Sequence, residues 1–410
     1  MSKALKAVVL SLSAAVVLFT VIGGLGVHAS TDDGAYRQLG VLSEVLSRIR
    51  SEYVEEPNVP AVTSGALHGL LESLDANSSY LTPAEYKEYS QHRSEAKGNI
   101  NAEISKRFGY AAVVSVLPGG AGAKAGMESG DIIESIEGKS TREMSLAQIE
   151  TALSGEPGSH VNLSVVRARH SEPLKLTVVR EQENVAAPSD KLMESGIGYI
   201  KVDALPKGKS QEIAAKIKAL EKQGAHKLIL DVRNLAEGDE QEGIATANLF
   251  LDHGVITYLQ GQKYQRETFN ADPSKAITKL PLVIMVNHAT AGPAEIVAAA
   301  VLENARGDVL GDKTFGEGAI QKVLEVSDGS ALILSVAKYY TPGGKAIQDA
   351  AITPNIVVAD NNDDDFTGPD DDTTTPPQTQ AKPQSDDQLK RAIEVLKNRD
   401  TKAELAPAKQ

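Results

Sequence analysis

Between Asn287 and Gln321, in the stretch NHATAGPAEIVAAAVLENARGDVLGDKTFGEGAIQ, the side chains able to do chemistry are few. Thr290 is the hydroxyl and His288 the imidazole closest to the pair Gly292-Pro293, while Glu317 and Gln321 follow further on. A hydroxyl nucleophile needs an activating base within hydrogen-bond reach, and nothing in this spacing aligns Thr290 with one. The same residues read well as a helix start. Pro293 stands where a first helical residue is preorganised, Glu295 places a negative charge in the first turn, and Ile296 to Leu302 continue as a buried apolar run. Metal chemistry has no pattern to support it. The chain has no cysteine and only scattered histidines such as His68, His160, His170 and His253, without an i, i+4 pair or an H-E-x-x-H arrangement. Neither a metal nor another cofactor is expected.

The stretch resembles the catalytic segment of the carboxyl-terminal-processing (tail-specific) serine peptidases, which runs close to N-x-G-S/T-A-S-A-S-E-I and then G-E-x-T-F/Y-G-K-G-x-x-Q. The resemblance implies a serine nucleophile at the position of Gly292, a lysine base at that of Glu317 and a lysine-orienting glutamine at Gln321. Here the first two are replaced and only Gln321 is retained. A serine and lysine dyad needs a hydroxyl to attack and a neutral buried amine to take its proton; Gly292 offers no hydroxyl. The resemblance further implies an oxyanion donor in the N–H of the residue after the nucleophile, a contribution of about 3 to 4 kcal/mol. That residue is Pro293, which has no N–H. A second donor is implied in an N-P-G-G-like turn after the strand Leu230 to Arg233; here Leu235, Ala236, Glu237 and Gly238 replace it.

The likeness extends along most of the chain. Gly65 to Asp75, with Ser78 to Leu81, resembles the family's amino-terminal helical region, Gly196 to Ile200 the opening strand of its core, and Tyr339 to Gln348 (YYTPGGKAIQ) a further signature. Val113 to Ile133 is similar to the strand, small-residue helix and G-D-x-I strand of a PDZ domain. The expected fold class is therefore α/β multidomain: a helical N-terminal region over 35–90, a β-rich PDZ domain with two helices over 96–182, and an α/β layered peptidase-like core over 190–358. Within the core, Leu228 to Val232 and Leu282 to Val286 read as buried strands, and Gly243 to Leu251 and Ile296 to Asn304 as helices.

PDZ domains bind extended peptides on an open sheet edge and capture terminal carboxylates with loop N–H groups. The corresponding loop is Gly98, Asn99, Ile100, Asn101 and Ala102, with Asn99 and Asn101 in place of glycines; asparagine is the non-glycine residue best suited to positive φ. Leu146 and Ile149, at helical spacing, are expected to face the groove.

The net charge of −13 is concentrated in 360–388, where nine aspartates meet the single Lys382. That composition predicts a disordered linker, followed by a short helix over 389–399 whose apolar stripe has no evident partner. An acidic chain without a basic stripe is unsuited to nucleic acid. Lys3 and Lys6 precede an apolar run from Ala7 to Val27, with Val27-His28-Ala29 as an A-x-A-like site. Residues 1–29 are expected to act as a signal peptide or membrane anchor. The remainder is then exported, either periplasmic or held on the inner membrane facing the periplasm.

Three functions stay open at this level. One is a non-catalytic homologue that binds protein or peptide C-termini as an adaptor or as a regulator of an active paralogous peptidase. A second is an active serine-type endopeptidase, and a third is an oligomer in which both domains serve as interaction surfaces.

Overall fold

The structure, a computed structural model, describes residues 32–95, 98–107, 109–168, 170–359 and 386–404. The expected export segment, and the expected linker up to residue 385, lie outside them. Helices α1 (Asp32–Glu52) and α2 (Val59–Glu72) open the described chain, followed by strand β1 (Ser79–Leu81) and helix α3 (Pro83–Glu95). No helix among the described residues is long and apolar enough to cross a membrane.

The next segment is a six-stranded sheet in the order β2-β3-β4-β6-β7, with β5 paired to β4 off that path. Its strands are β2 (Ala102–Arg107), β3 (Tyr110–Val116), β4 (Ile132–Ile136), β5 (Lys139–Ser140), β6 (His160–Val166) and β7 (Leu174–Val179), with helices α4 (Ala121–Ala125) and α5 (Leu146–Leu153). Helix α5 begins where Ser145 and Gln148 cap one another reciprocally, the Gln148 side chain accepting from the Ser145 N–H at 2.7 Å. Strand β2 is the sheet's edge, and α5 packs beside it.

The core is a six-stranded sheet in the order β17-β14-β13-β10-β9-β8. It comprises β8 (Ser189–Met193), β9 (Ile197–Lys201), β10 (Lys227–Asp231), β13 (Leu282–Val286), β14 (Asp308–Gly311) and β17 (Ile356–Val357), all parallel except the β8-β9 pair. Helices α6 (Lys209–Lys222), α7 (Glu240–Asn248) and α8 (Pro293–Glu303) supply one packed layer. A second sheet contains β11 (Val255–Gln260), β12 (Glu267–Asn270), β15 (Ala319–Glu325) and β16 (Ala331–Tyr340). Ile333 pairs with both Ser79 and Val323, so β1 and β15 flank opposite edges of β16.

Parallel strands covered on both faces read as continuous apolar runs, and Leu282 to Val286 is one. Leu228, Leu230, Leu282, Ile284 and Val286 join the cluster that includes α6 and α8; Ile229, Val283 and Met285 point the other way. That second face is covered by helix α9 (Asp387–Glu404), through the fully buried Ala392 and Leu396. The short unpartnered helix expected over 389–399 is thus longer, and its apolar stripe closes the sheet's outer face. The expected linker also ends earlier than residue 388. Arg233 donates both to buried Asp231 at 2.6 Å and to Asp386 at 2.8 Å, and Gln388 donates to the Val358 carbonyl at 2.8 Å. Burial would push the Asp231 carboxyl up, but Lys201 and Arg233 outweigh it and hold it below its ordinary value.

Element ends moved where a cap decides them. Asp239 accepts from the Gln241 N–H at 2.7 Å, so the helix expected over Gly243 to Leu251 starts at Glu240 and ends at Asn248. The strand expected over Leu228 to Val232 runs Lys227–Asp231, and the helix expected from Ile296 begins at Pro293.

Candidate functional site

Strand β13 delivers the chain into the turn Asn287 to Gly292, which is locked from below. Asn287 and Asn234 exchange hydrogen bonds at 2.9 and 2.7 Å across the ends of β13 and β10. Thr290, fully buried, accepts from the Asn287 N–H at 3.0 Å and donates toward the Val232 carbonyl at 3.0 Å. Its hydroxyl is a structural brace, with neither a lone proton nor an open face for attack.

Gly292 has φ 54° and ψ −119°, a backbone conformation reserved for glycine or for strained functional turns. A side chain there would not be crowded, since the nearest atom to an added Cβ is the Ala236 carbonyl oxygen at 3.5 Å. That neighbour is an acceptor, where oxyanion chemistry needs a donor. The N–H groups of the turn are likewise spent: Thr290 donates to Asn287 O at 2.9 Å, Ala291 to Leu235 O at 2.9 Å, and Gly292 to Glu295 Oε2 at 3.1 Å. Pro293 has none. Helix α7 approaches so closely that a Cβ on Gly243 would lie 2.6 Å from the Pro293 carbonyl oxygen, so glycine is required there too.

Glu295 joins the two halves of the site. Its carboxylate, fully buried, accepts from the Gly292, Gly316 and Glu317 N–H groups at 3.1, 2.9 and 2.8 Å and from the Thr314 hydroxyl. Burial pushes this carboxyl up to about 8 despite those donors. The sequence suggested only a charge at a helix start for Glu295; nothing in its spacing announces a ligand for residues 314–317.

The positions Gly292, Pro293 and Glu317 are therefore assembled around one carboxylate, and Glu317 and Gln321 share a wall of an open cleft of about 440 Å³. Leu146, Ala147, Glu150 and Thr151 of α5 form the facing wall. Burial, then Glu150 and Glu240, push the Glu317 carboxyl up to about 7. Burial, then Glu317, Glu150, Glu237 and Glu240, raise Glu103 of β2 well above its ordinary value. Burial, then Glu183, push Glu237 up to about 8. Glu150 of α5, Glu237 of the turn before α7, Glu240 of α7 and Glu317 of the loop before β15 thus all act electrostatically on Glu103 of β2. They lie far apart in the chain, so no local pattern could have grouped them. Among the described residues no set of histidine and acidic side chains could hold a metal ion.

In the loop Gly98 to Ala102, three of the N–H groups are engaged. The Gly98 N–H donates to Gly155 O at 3.1 Å and the Asn99 N–H to Glu181 O at 3.0 Å. Asn101 adopts φ 53°, and its N–H and side-chain amide both donate to Asn99 Oδ1, at 2.8 and 2.7 Å. Leu146 lines the cleft, whereas Ile149, expected to face the groove, is fully buried in the small domain's own core. Its helical spacing with Leu146 and Leu153 reflects packing of α5 against β2 and β4.

A profile of peptidase family S41 matches residues 196–358, and a PDZ-domain profile matches residues 113–167. The chain is 30% identical over 330 residues to the carboxy-terminal processing protease CtpA of Bacillus subtilis, an alignment covering 80% of this chain and 70% of that one. It is 32% identical to a carboxyl-terminal-processing protease of Synechocystis, over 76% of this chain and 74% of the relative. A solved photosystem II D1 C-terminal processing protease superposes with a TM-score of 0.64 at 26% identity, covering 77% of this chain and 86% of its own.

Proposed function

The chain belongs to peptidase family S41 and carries a PDZ domain, and from that membership we propose that it is a non-cleaving member which holds protein or peptide segments as an adaptor or regulator. The observation that carries this reading is the turn at Gly292. It has no nucleophile, no proton left to donate at Thr290, Ala291 or Gly292, and a proline in the next position. The base position supports it as well. Glu317 is a carboxylate among carboxylates, poorly placed to stabilise the negative charge that develops on an attacked carbonyl oxygen.

The relatives named above are proteases by name, and an active serine-type endopeptidase is the reading that membership alone would give. It would require a hydroxyl that the turn does not present. Binding is the capacity left, since β2 remains a sheet edge beside α5, the arrangement through which PDZ domains add a peptide strand. An active paralogous peptidase is a natural partner for a homologue that keeps the binding domain and loses the chemistry, and export of the chain, suggested by residues 1–29, would place it with envelope substrates.

A fluorophosphonate probe tests the absence of an activated serine directly. The full chain should remain unlabelled under conditions that label an active family member. Labelling that is competed by an unfolded protein substrate would overturn the reading.

A further inference from the structure

The groove between β2 and α5 is tied at both ends. At the inner end the Gly98 N–H donates to the Gly155 carbonyl at 3.1 Å, and the Gly155 N–H returns a bond to the Gly98 carbonyl at 3.0 Å. The loop before β2 and the residues after α5 are thereby zipped together. At the outer end the tie is a side chain. Lys106 of β2 donates from Nζ to the Met144 carbonyl, just ahead of α5, at 2.7 Å, and to Oε1 of Glu72, the last residue of α2, at 2.6 Å. Only 7% of the Lys106 side chain is exposed.

This tie is held on a frame. Ile104, two residues before Lys106, joins the small domain's core, and the alternation of a strand sends the Lys106 chain along the same face toward the start of α5. The far wall is braced from outside: Gln148 of α5 donates from Nε2 to Glu85 Oε1 at 2.6 Å, and Glu85 Oε2 accepts from the Thr82 N–H at 2.7 Å at the start of α3. Distance then limits what fits. A lysine chain reaches about 6 Å from its Cα, so the Met144 carbonyl oxygen lies within about 9 Å of the Lys106 Cα. A strand added to β2 would lie about 5 Å from it, which leaves at most about 4 Å to Met144, short of even the spacing between hydrogen-bonded strands. An extended ligand can therefore pair with Ala102, Glu103, Ile104 and Ser105 and no further, a stretch of about 14 Å.

We propose that Lys106 sets the length of what the groove holds: it makes the groove a slot for a terminal tail of about four extended residues and excludes strands that would run on past Ser105. The proposal rests on the peptide-holding reading above and narrows it. Pairing with the β2 edge supplies the affinity, and the Lys106 tie is the stop.

The test uses the full chain and fluorescent peptides of one alternating valine-threonine sequence, three, four, six and eight residues long with free carboxy termini, read by anisotropy. Affinity should rise from three to four residues and then stay level within about twofold. Lys106→Met keeps the stem and removes the tie. In that variant the six-residue peptide should bind about tenfold tighter than the four-residue one, the gain from about two more strand hydrogen bonds. Lys106→Arg, which can still donate to both partners, should restore the plateau. Glu72→Ala, which unpins Lys106 from α2, should show part of the gain, and it carries the comparison if Lys106→Met does not fold. A merely structural role for Lys106 would weaken every length alike and leave the plateau in place. That result, or a natural chain whose affinity climbs about tenfold from four to six residues, overturns the proposal and leaves peptide holding standing. Failure of every length to bind removes the underlying reading and this inference with it.

Discussion

Replacing Glu317 by glutamine should stabilise the protein at alkaline pH and do nothing at acid pH. The Glu317 carboxyl is raised from its ordinary 4.5 to about 7 by burial and by Glu150 and Glu240. Between those two values the folded state binds a proton that the unfolded state has released, so stability falls as pH rises from about 4.5 to about 7 and then levels off. At about 1.4 kcal/mol for each tenfold in proton affinity, the ionised glutamate costs as much as about 3 kcal/mol above pH 7. Glutamine keeps the size and loses the charge, and it also relieves Glu103, whose carboxyl is raised in part by Glu317. Urea melts of the natural chain and Glu317→Gln should coincide near pH 4 and separate by as much as about 3 kcal/mol at pH 8, corresponding to several degrees in thermal midpoint. A variant no more stable than the natural chain at pH 8 would refute the reasoning, since it would mean that Glu317 is neither desolvated nor faced by other carboxylates.

Gly292→Ser should fold, because the nearest atom to the new Cβ is 3.5 Å away, yet lose about 1 to 3 kcal/mol from the positive φ and show no hydrolysis of a fluorogenic peptide. Thr290→Val should cost about 1 to 3 kcal/mol in urea melts by leaving the Asn287 N–H without its acceptor. Leu396→Ala should cost about 2 to 5 kcal/mol and speed proteolysis of α9, whose burial against Ile229, Val283 and Met285 it weakens. Fusing residues 1–35 to a reporter active only outside the cytoplasm should give signal if the Lys3 and Lys6 flank and the run that follows direct export.

The apolar runs made the parallel core legible, since strands buried on two faces need no partner to be recognised, and Pro293 with its following alanines marked α8. The family likeness made the positions Gly292, Glu317 and Gln321 legible. What the sequence hid depends on separation along the chain. The partner of α9 was invisible because its stripe meets Ile229, Val283 and Met285, and a one-dimensional pattern cannot say which face of a sheet is bare. The engaged N–H groups of the Gly292 turn, the four donors on Glu295 and the electrostatic coupling of Glu103, Glu150 and Glu317 all arise from segments far apart in the chain. Ile149 was misassigned for a simpler reason: core and groove positions on a short helix share one periodicity.

The central claim is that the natural chain does not cleave, and mass spectrometry of an unfolded protein incubated with it tests that claim most directly. No new termini should arise beyond those in buffer, while the combined variant Gly292→Ser, Pro293→Ala, Glu317→Lys, in which nucleophile, donor and base return together, should be the smallest set able to produce them. Cleavage by the unmodified chain, abolished by Thr290→Ala or His288→Ala, would contradict the account.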